Sequence, residues 1–232
     1  MINYPQMFQL GNLGFSMTHS LDSGNTLAFM HGWSVLKQRN VVTGREMISH
    51  GERMHKLLEP SISLWRHPLL LPTLLFQEHL FRCEEFIWRD LSPQIRGIER
   101  DLGITRSGRL SGTKHAVSEE IRELLTDDER RIQITSAVNT TLTDTITFAS
   151  VLSWDERLGD FIKKADRELH HYYEGAGIDL GVVKELEAAI DLFSSEAAST
   201  LAYAAGMRSR LEMQLNVVCL LCSIPELDGI KL

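Results

Sequence analysis

The chain has 232 residues, 43% of them hydrophobic and 24% charged, with a formal net charge of -7. That length is enough for a sizeable core, and those fractions argue against global disorder. The negative balance, and the lack of any stretch interleaving basic with aromatic residues, give no nucleic-acid footprint, so no nucleic-acid partner is expected.

Residues 1–45 are punctuated by Gly11, Gly14, Gly24, Gly32 and Gly44. Thr26–His31 and Trp33–Leu36 read as short strands, with Asp22 to Asn25 as the turn before them. This part is expected to be a small β or irregular segment. The start of the chain has no basic region followed by an apolar run, so no signal peptide is expected.

Residues 46–102 form the first helical segment. Arg45 to Glu59 carries Met47, Met54, Leu57 and Leu58 as inward positions, and Pro60 should stop it. Thr73 to Asp90 follows the His67–Pro72 element, with Pro72 in a position that a first helical turn tolerates. Leu74, Leu75, Glu78, Phe81, Cys83, Phe86, Ile87 and Leu91 mark its inward face. Pro93 should kink the axis or start a new piece, and Ile95, Ile98 and Leu102 continue the period to Gly103.

Residues 103–117 are basic and rich in Gly and Ser, which predicts an exposed linker. They do not make a phosphate cradle. Gly108 and Gly112 are one residue too close for a P-loop, and Thr113 precedes Lys114.

Residues 118–232 read as a long antiparallel helical hairpin, packed with 46–102 as one domain. Ser118 with Glu119 and Glu120 gives a cap and an acidic first turn, and Ile121, Leu124 and Leu125 face inward. The next period runs from Asp127 to Tyr173 through Ile132, Val138, Leu142, Ile146, Ala149, Leu152, Phe161, Ala165, Leu169 and Tyr172. The β-branched run Thr140 to Thr147 lowers helix propensity but shows no strand alternation. Gly175 to Gly177 ends that helix.

The final stripe comprises Val183, Leu186, Ile190, Phe193, Ala197, Leu201, Ala204, Met207, Leu211, Leu215, Val218 and Cys222. A continuous helix there would be roughly 60 Å long, so it should protrude, pack on partner helices or break near Gly206. Two helices joined by so short a turn must run antiparallel. The fold class is therefore mainly α, with long antiparallel helices and a small β or irregular N-terminal part.

The chemistry-bearing motifs are few. Cys83, Cys219 and Cys222 make no disulfide framework, and Cys219 and Cys222 read as two core thiols on one helix face. Reduced thiols fit an intracellular setting. Glu52/His55 and Glu168/His171 are Glu-x-x-His pairs, the spacing that di-metal carboxylate bundles use. Such a site would also need inward carboxylates on other helices, for which Glu78 and Glu120 or Glu123 are the candidates. Asp127, Asp128 and Glu129 could attract a hard cation but suit a solvated helix start. The Arg208, Arg210 and Glu212 group reads as the outward face of the last helix, with inter-helix ion pairs as its possible role. No catalytic or cofactor-binding residue is assigned, no enzyme activity is expected, and the metal ligands are unknown.

Two elements carry a family resemblance. His67-Pro-Leu-Leu-Leu-Pro72 with Leu74-Leu-Phe-Gln-Glu-His-Leu80 resembles a segment of fungal CorA-like proteins, distant relatives of the CorA magnesium transporters. Arg208 to Leu221 is similar to the end of their long pre-membrane helix. The resemblance implies the soluble domain of a divalent metal cation (magnesium) transporter, not conducting by itself, with magnesium as the implied ion. It also implies a homo-oligomer formed through the long helices. The partner would be a membrane protein or a missing transmembrane segment. The chain departs from the family where it matters for conduction. Gly206-Met207 is followed by Arg208 instead of the Asn of the Gly-Met-Asn signature, and no window of about 18 apolar residues exists. The chain as given is expected to be cytoplasmic, and membrane-associated if it belongs to a longer transporter. The alternatives are a standalone helical interaction module and, more remotely, a Glu-x-x-His di-metal enzyme.

Overall fold

The structure is a computed structural model that describes residues 13–20, 23–32, 38–39, 46–47, 49–102 and 127–223. The protein is mainly helical with a small β part near the N-terminus. The expected linker at 103–117, the helix expected from Ser118 and the strand expected at Trp33–Leu36 lie outside the described residues.

Strands β1 (Leu13–His19) and β2 (Thr26–Gly32) pair antiparallel, with Leu13 opposite Gly32 and His19 opposite Thr26. The turn between them is closed by the Gly24 N–H, which donates to the Ser20 carbonyl, and Gly24 takes a φ of 68°. That left-handed conformation favours glycine. The first strand was not expected from the sequence, because Gly11 and Gly14 obscure its alternation. Strands β3 (Gln38–Arg39) and β4 (Glu46–Met47) form a second, minimal pair. Met47 thus sits in a strand and not in the helix expected from Arg45.

Helix α1 spans His50–Leu58. Its start is set by a capping box: Ser49 accepts from the Glu52 N–H, and the Glu52 carboxylate accepts from the Ser49 N–H. That reciprocal pair satisfies two end donors and outweighs the apolar period that pointed to Arg45. Pro60 does not end helicity. It stands in the first turn of a 3-10 segment, Glu59–Leu64, where its missing N–H costs nothing. Helix α2 follows at Leu70–Phe86, then a π-helical turn at Ile87–Leu91, then α3 at Ser92–Asp101 with Pro93 in its first turn. The kink or restart expected at Pro93 takes this form. Phe81, expected to face inward, is half exposed, and the Arg53 guanidinium lies over its ring at 5.1 Å.

Helices α4 (Asp128–Gly175) and α5 (Leu180–Ser223) are 48 and 44 residues long. The break offered at Gly206 does not occur. Asp127 caps α4 by accepting from the Arg130 N–H. Within α4 the threonine run holds its helix because Thr135, Thr143, Thr145 and Thr147 each donate a hydroxyl hydrogen bond to the carbonyl four residues back. At the far end Gly177 takes a φ of 64°, and the Ile178 N–H donates to the Tyr173 carbonyl, a Schellman-type stop. Asp179 then accepts from the Gly181 N–H at the start of α5.

Burial along both helices follows alternating steps of four and three. In α4 the series is 134, 138, 141, 145, 148, 152, 155, 159, 162, 166, 169 and 173, with only Leu169 less than fully buried. In α5 it is 183, 186, 190, 193, 197, 200, 204, 207, 211, 214 and 218, with Phe193 the partly buried member. This is the seven-residue repeat of a coiled-coil seam. Its register differs from the apolar stripe read in the sequence along α4, whereas in α5 the stripe departs only at Leu201 and Leu215. Ile134 and Ile162 are buried, whereas Ile132, Ile146 and Phe161 are exposed. Thr200 and Gln214 occupy seam positions in place of Leu201 and Leu215. The reason is that the seam contains Thr141, Thr145, Asp155, Asp166, Thr200 and Gln214, which an apolar count passes over.

The described chain divides into two compact units. The first combines residues 1–83 with 150–200. Its core joins Met54, Leu64, Leu70, Phe76 and Leu80 to Ile162, Leu186 and Ile190, and Met30 of β2 packs against it. Here α4 and α5 run antiparallel, with Lys163 Nζ 2.9 Å from Asp191 Oδ1. Gly159 lets the helices close up, since a Cβ there would stand 2.7 Å from Ser194 Oγ and 3.3 Å from the Phe76 ring. The second unit combines residues 84–149 with 201–232. Phe86 packs on Phe148 at 5.2 Å, Thr141 donates to Gln94, and Arg210 donates to Glu99 at 2.5 and 3.0 Å. Arg210 is thus an inter-helix partner, while Arg208 pairs with Glu212 at 2.7 Å on the exposed surface.

Three substitutions test this packing by urea unfolding. Gly159→Ala is expected to destabilise by about 1–3 kcal/mol through overpacking. Gly206→Ala, with nothing within 4 Å of its Cβ, is expected to stabilise by roughly 0.5–1 kcal/mol. Gln214 is fully buried, and its amide has no hydrogen-bond partner among the described residues, so Gln214→Leu is expected to stabilise by about 1–3 kcal/mol.

Candidate functional site

Two of the polar seam residues, Asp155 and Asp166, organise clusters in the first unit. Asp155 lies on α4 and is wholly buried. Facing it on α2 are His79 and Cys83, four residues apart and therefore on one side of that helix. His79 Nδ1 is 2.9 Å from Asp155 Oδ1, Cys83 Sγ is 3.7 Å from Asp155 Oδ2, and Cys83 Sγ is 3.8 Å from His79 Nδ1. The three ligand atoms lie within 4.8 Å of one another. Cys83 is fully enclosed, and the His79 side chain is 26% exposed, so the cluster reaches solvent on the histidine side. Trp154 stands edge-on to the His79 ring at 5.8 Å.

Asp155 Oδ1 has no hydrogen-bond partner among the described residues despite the 2.9 Å approach of His79 Nδ1. The distance suits a hydrogen bond, but the direction does not. A buried carboxylate oxygen left in this way costs on the order of 1–3 kcal/mol or more.

The second cluster is enclosed. His67 begins the turn into α2, and its Nδ1 accepts from the Leu69 N–H, which leaves the ring proton on Nε2. Nε2 lies 3.9 Å from Asp166 Oδ1, beyond hydrogen-bond reach. Asp166 instead accepts from the Tyr173 hydroxyl at 2.7 Å, and the Tyr173 ring lies 4.7 Å from the His67 ring. Next to it, His19 of β1 approaches the Tyr172 hydroxyl at 3.4 Å and Thr26 Oγ1 at 2.8 Å, tying the hairpin to the end of α4. Burial pushes the His67 pKa down to about 4, against the attraction of Asp166 and with a smaller push from His19. Burial, the Asp166 hydrogen bond and nearby negative charge raise the Tyr173 phenol above its usual range. Both groups are held neutral, as parts of a packed core.

The residues singled out in the sequence are placed differently. Glu52 belongs to the α1 capping box, and His55 is exposed beside Glu59 at 3.5 Å. Glu168 and His171 are exposed, and Glu168 lies 3.9 Å from Lys164. Glu78 is buried, 3.7 Å from Arg53. Glu120 and Glu123 lie outside the described residues. Neither Glu-x-x-His pair joins the one cluster of potential metal ligands found among the described residues. Asp127 and Asp128 serve the helix start, with Asp128 paired to Arg131. Cys219, expected in the core, is exposed.

The sequence reading missed the Asp155 cluster. His79 and Cys83 fall four apart on one helix, and a seven-residue count along α4 places Asp155 on the buried seam, so the signal lay in register and not in a motif. No protein-family model, curated protein or solved structure matches the chain.

The His67 cluster gives a signed pH dependence. In the unfolded chain His67 titrates near its ordinary 6.5, and in the native protein near 4. Between those values the unfolded chain binds a proton that the native state refuses. The stabilisation is complete above pH 6.5 and is lost as pH falls towards 4, by roughly 3 kcal/mol in all. Urea midpoints at pH 7 and pH 4.5 should therefore lie closer together in His67→Asn than in the wild-type protein.

Proposed function

We propose that this chain is a soluble helical part of a CorA-like divalent-cation transport protein, not conducting by itself and assembling through its long helices. One observation carries the reading: two helices of 48 and 44 residues, each with an unbroken seven-residue seam and joined by a turn of only four residues, 176–179. A pre-membrane stalk needs that kind of element. The two resembling stretches, His67 to Leu80 and Arg208 to Leu221, add support. The first is among the most buried stretches of its unit, with His67, Leu69, Leu70, Thr73, Leu74, Phe76, Glu78 and Leu80 all inside, as a scaffold segment should be.

Among the described residues no helix is long and apolar enough to cross a membrane, so any span lies elsewhere. Each unit exposes apolar residues of α5 outside the seam that could take part in self-association: Leu192 in the first, Met213 and Leu220 in the second, all more than half exposed. Magnesium prefers six oxygen ligands in an octahedron. The cluster at Asp155 does not supply them, so it is not offered as the transported ion's site.

Fractionation of the source cells tests the proposal. An antibody to residues 128–223 should detect the protein in the membrane fraction at a mass above 26.3 kDa, the mass of this chain. A species of 26.3 kDa confined to the soluble fraction would contradict it. Light scattering of the purified chain should give an oligomer that Leu192→Glu with Met213→Glu dissociates.

A further inference from the structure

The Asp155 cluster stands apart from the transport reading and does not rest on it. Its donor set is one imidazole nitrogen, one thiol sulfur and one carboxylate. Hard cations avoid sulfur, whereas zinc and its neighbours accept all three donor types. Zinc holds sulfur at about 2.3 Å and nitrogen or oxygen at about 2.0–2.2 Å, which sets tetrahedral edges of roughly 3.3–3.6 Å. The observed separations are 2.9 Å from His79 Nδ1 to Asp155 Oδ1, 3.7 Å from Cys83 Sγ to Asp155 Oδ2 and 3.8 Å from Cys83 Sγ to His79 Nδ1, and one ligand atom from each residue lies within 4.8 Å of the other two. Closing on an ion needs side-chain shifts on the order of an ångström.

The orientation points the same way. Were His79 and Asp155 a simple hydrogen-bonded pair, the ring N–H would be aimed at Oδ1. Instead Oδ1 is buried and has no hydrogen-bond partner among the described residues, at 2.9 Å from Nδ1. An Nδ1 that carries a lone pair in place of a proton gives that arrangement, and a metal ion could bridge the two atoms. Asp155 also sits at a seam position where an apolar residue would normally pack.

We propose that His79, Cys83 and Asp155 bind one zinc-type divalent transition-metal ion, with a fourth position open to water or an external ligand. Three protein ligands with one open position is the arrangement of exchangeable and reactive zinc sites, whereas structural sites close all four. On binding, the Cys83 S–H bond breaks, its proton leaves to solvent and a sulfur–metal bond forms. His79 binds as the neutral imidazole through Nδ1. One thiolate and one carboxylate then match the two charges of the ion, so the enclosed site carries no net charge. The partly exposed His79 gives the ion a route from solvent, and the adjacent Trp154 makes its arrival visible.

The full 232-residue chain, stripped with a chelator and dialysed against zinc, tests this by elemental analysis. One zinc per chain is expected, unaffected by excess magnesium. Cobalt should bind in its place, with a thiolate-to-metal charge-transfer band and quenching of Trp154 fluorescence. Cys83→Ser and His79→Gln should each weaken binding by tenfold or more and abolish the zinc-dependent rise in melting temperature. Both keep side chains of similar size, and circular dichroism checks that they fold. Cys219→Ser with Cys222→Ser controls for the second pair of thiols and should leave binding intact. Less than a tenth of an equivalent of zinc in the wild-type chain would overturn the proposal. So would binding that survives Cys83→Ser with His79→Gln, or that disappears only with the Cys219 and Cys222 substitutions.

Discussion

Each long helix buries one side chain at alternating steps of four and three residues, from Ile134 to Tyr173 in α4 and from Val183 to Val218 in α5. The rest of the structure depends on that constraint. A seven-residue repeat places its residues in one stripe along the helix, whereas a straight helix with 3.6 residues per turn drifts by about 20° per heptad relative to such a stripe. Every residue on the seam is therefore committed to the interior whatever its chemistry. That is why Asp155, Asp166 and Gln214, which would be costly to bury elsewhere, are fully or nearly fully enclosed. It is also why a glycine stands at position 159, where the Phe76 ring and Ser194 leave no space for a Cβ.

The polar seam residues are handled in different ways, and the differences separate scaffold from candidate site. Thr145 is satisfied within its own helix, and Thr141 reaches Gln94 of α3. Asp166 accepts from the Tyr173 hydroxyl and lies 3.9 Å from the neutral His67 ring. Those groups are held by burial, ring packing and the Tyr173 hydrogen bond. Asp155 differs because both neighbours carry metal-ligating atoms, because its Oδ1 is left without a hydrogen-bond partner among the described residues while Oδ2 accepts from the Cys83 thiol, and because His79 is partly open to solvent. Burial alone would make it another core carboxylate; the geometry of its neighbours gives it a chemical use.

Much of the helical layout could be read from the residues. Periodicity located α2, α4 and α5 to within a few residues, Pro93 marked the restart at α3, and Gly175 to Gly177 marked the turn. The register of α5 was legible at most of its positions, but that of α4 was not. In the stretch Asp155 to Ile162 only Leu158 and the last two residues, Phe161 and Ile162, compete on apolarity, and the reading took the large aromatic. The structure buries Ile162 and exposes Phe161, because Asp155, Gly159 and Asp166 set the count. The same displacement moved Leu215 off the seam in favour of Gln214. The start of α1 was misplaced for a different reason: a capping box is a two-residue hydrogen-bond device, and the apolar period ran past it. The candidate site was invisible to motif reading because its three residues come from two helices 72 positions apart at their closest.

The register of the seam is the claim on which the packing and the Asp155 cluster both stand, and the pair Phe161 and Ile162 tests it most directly. The measurement is the urea unfolding free energy of Phe161→Ala and Ile162→Ala, each against the wild-type chain. Ile162→Ala is expected to cost about 2–5 kcal/mol, and Phe161→Ala to change stability by no more than about 0.5 kcal/mol. The reverse order, with the larger loss at Phe161, would contradict it.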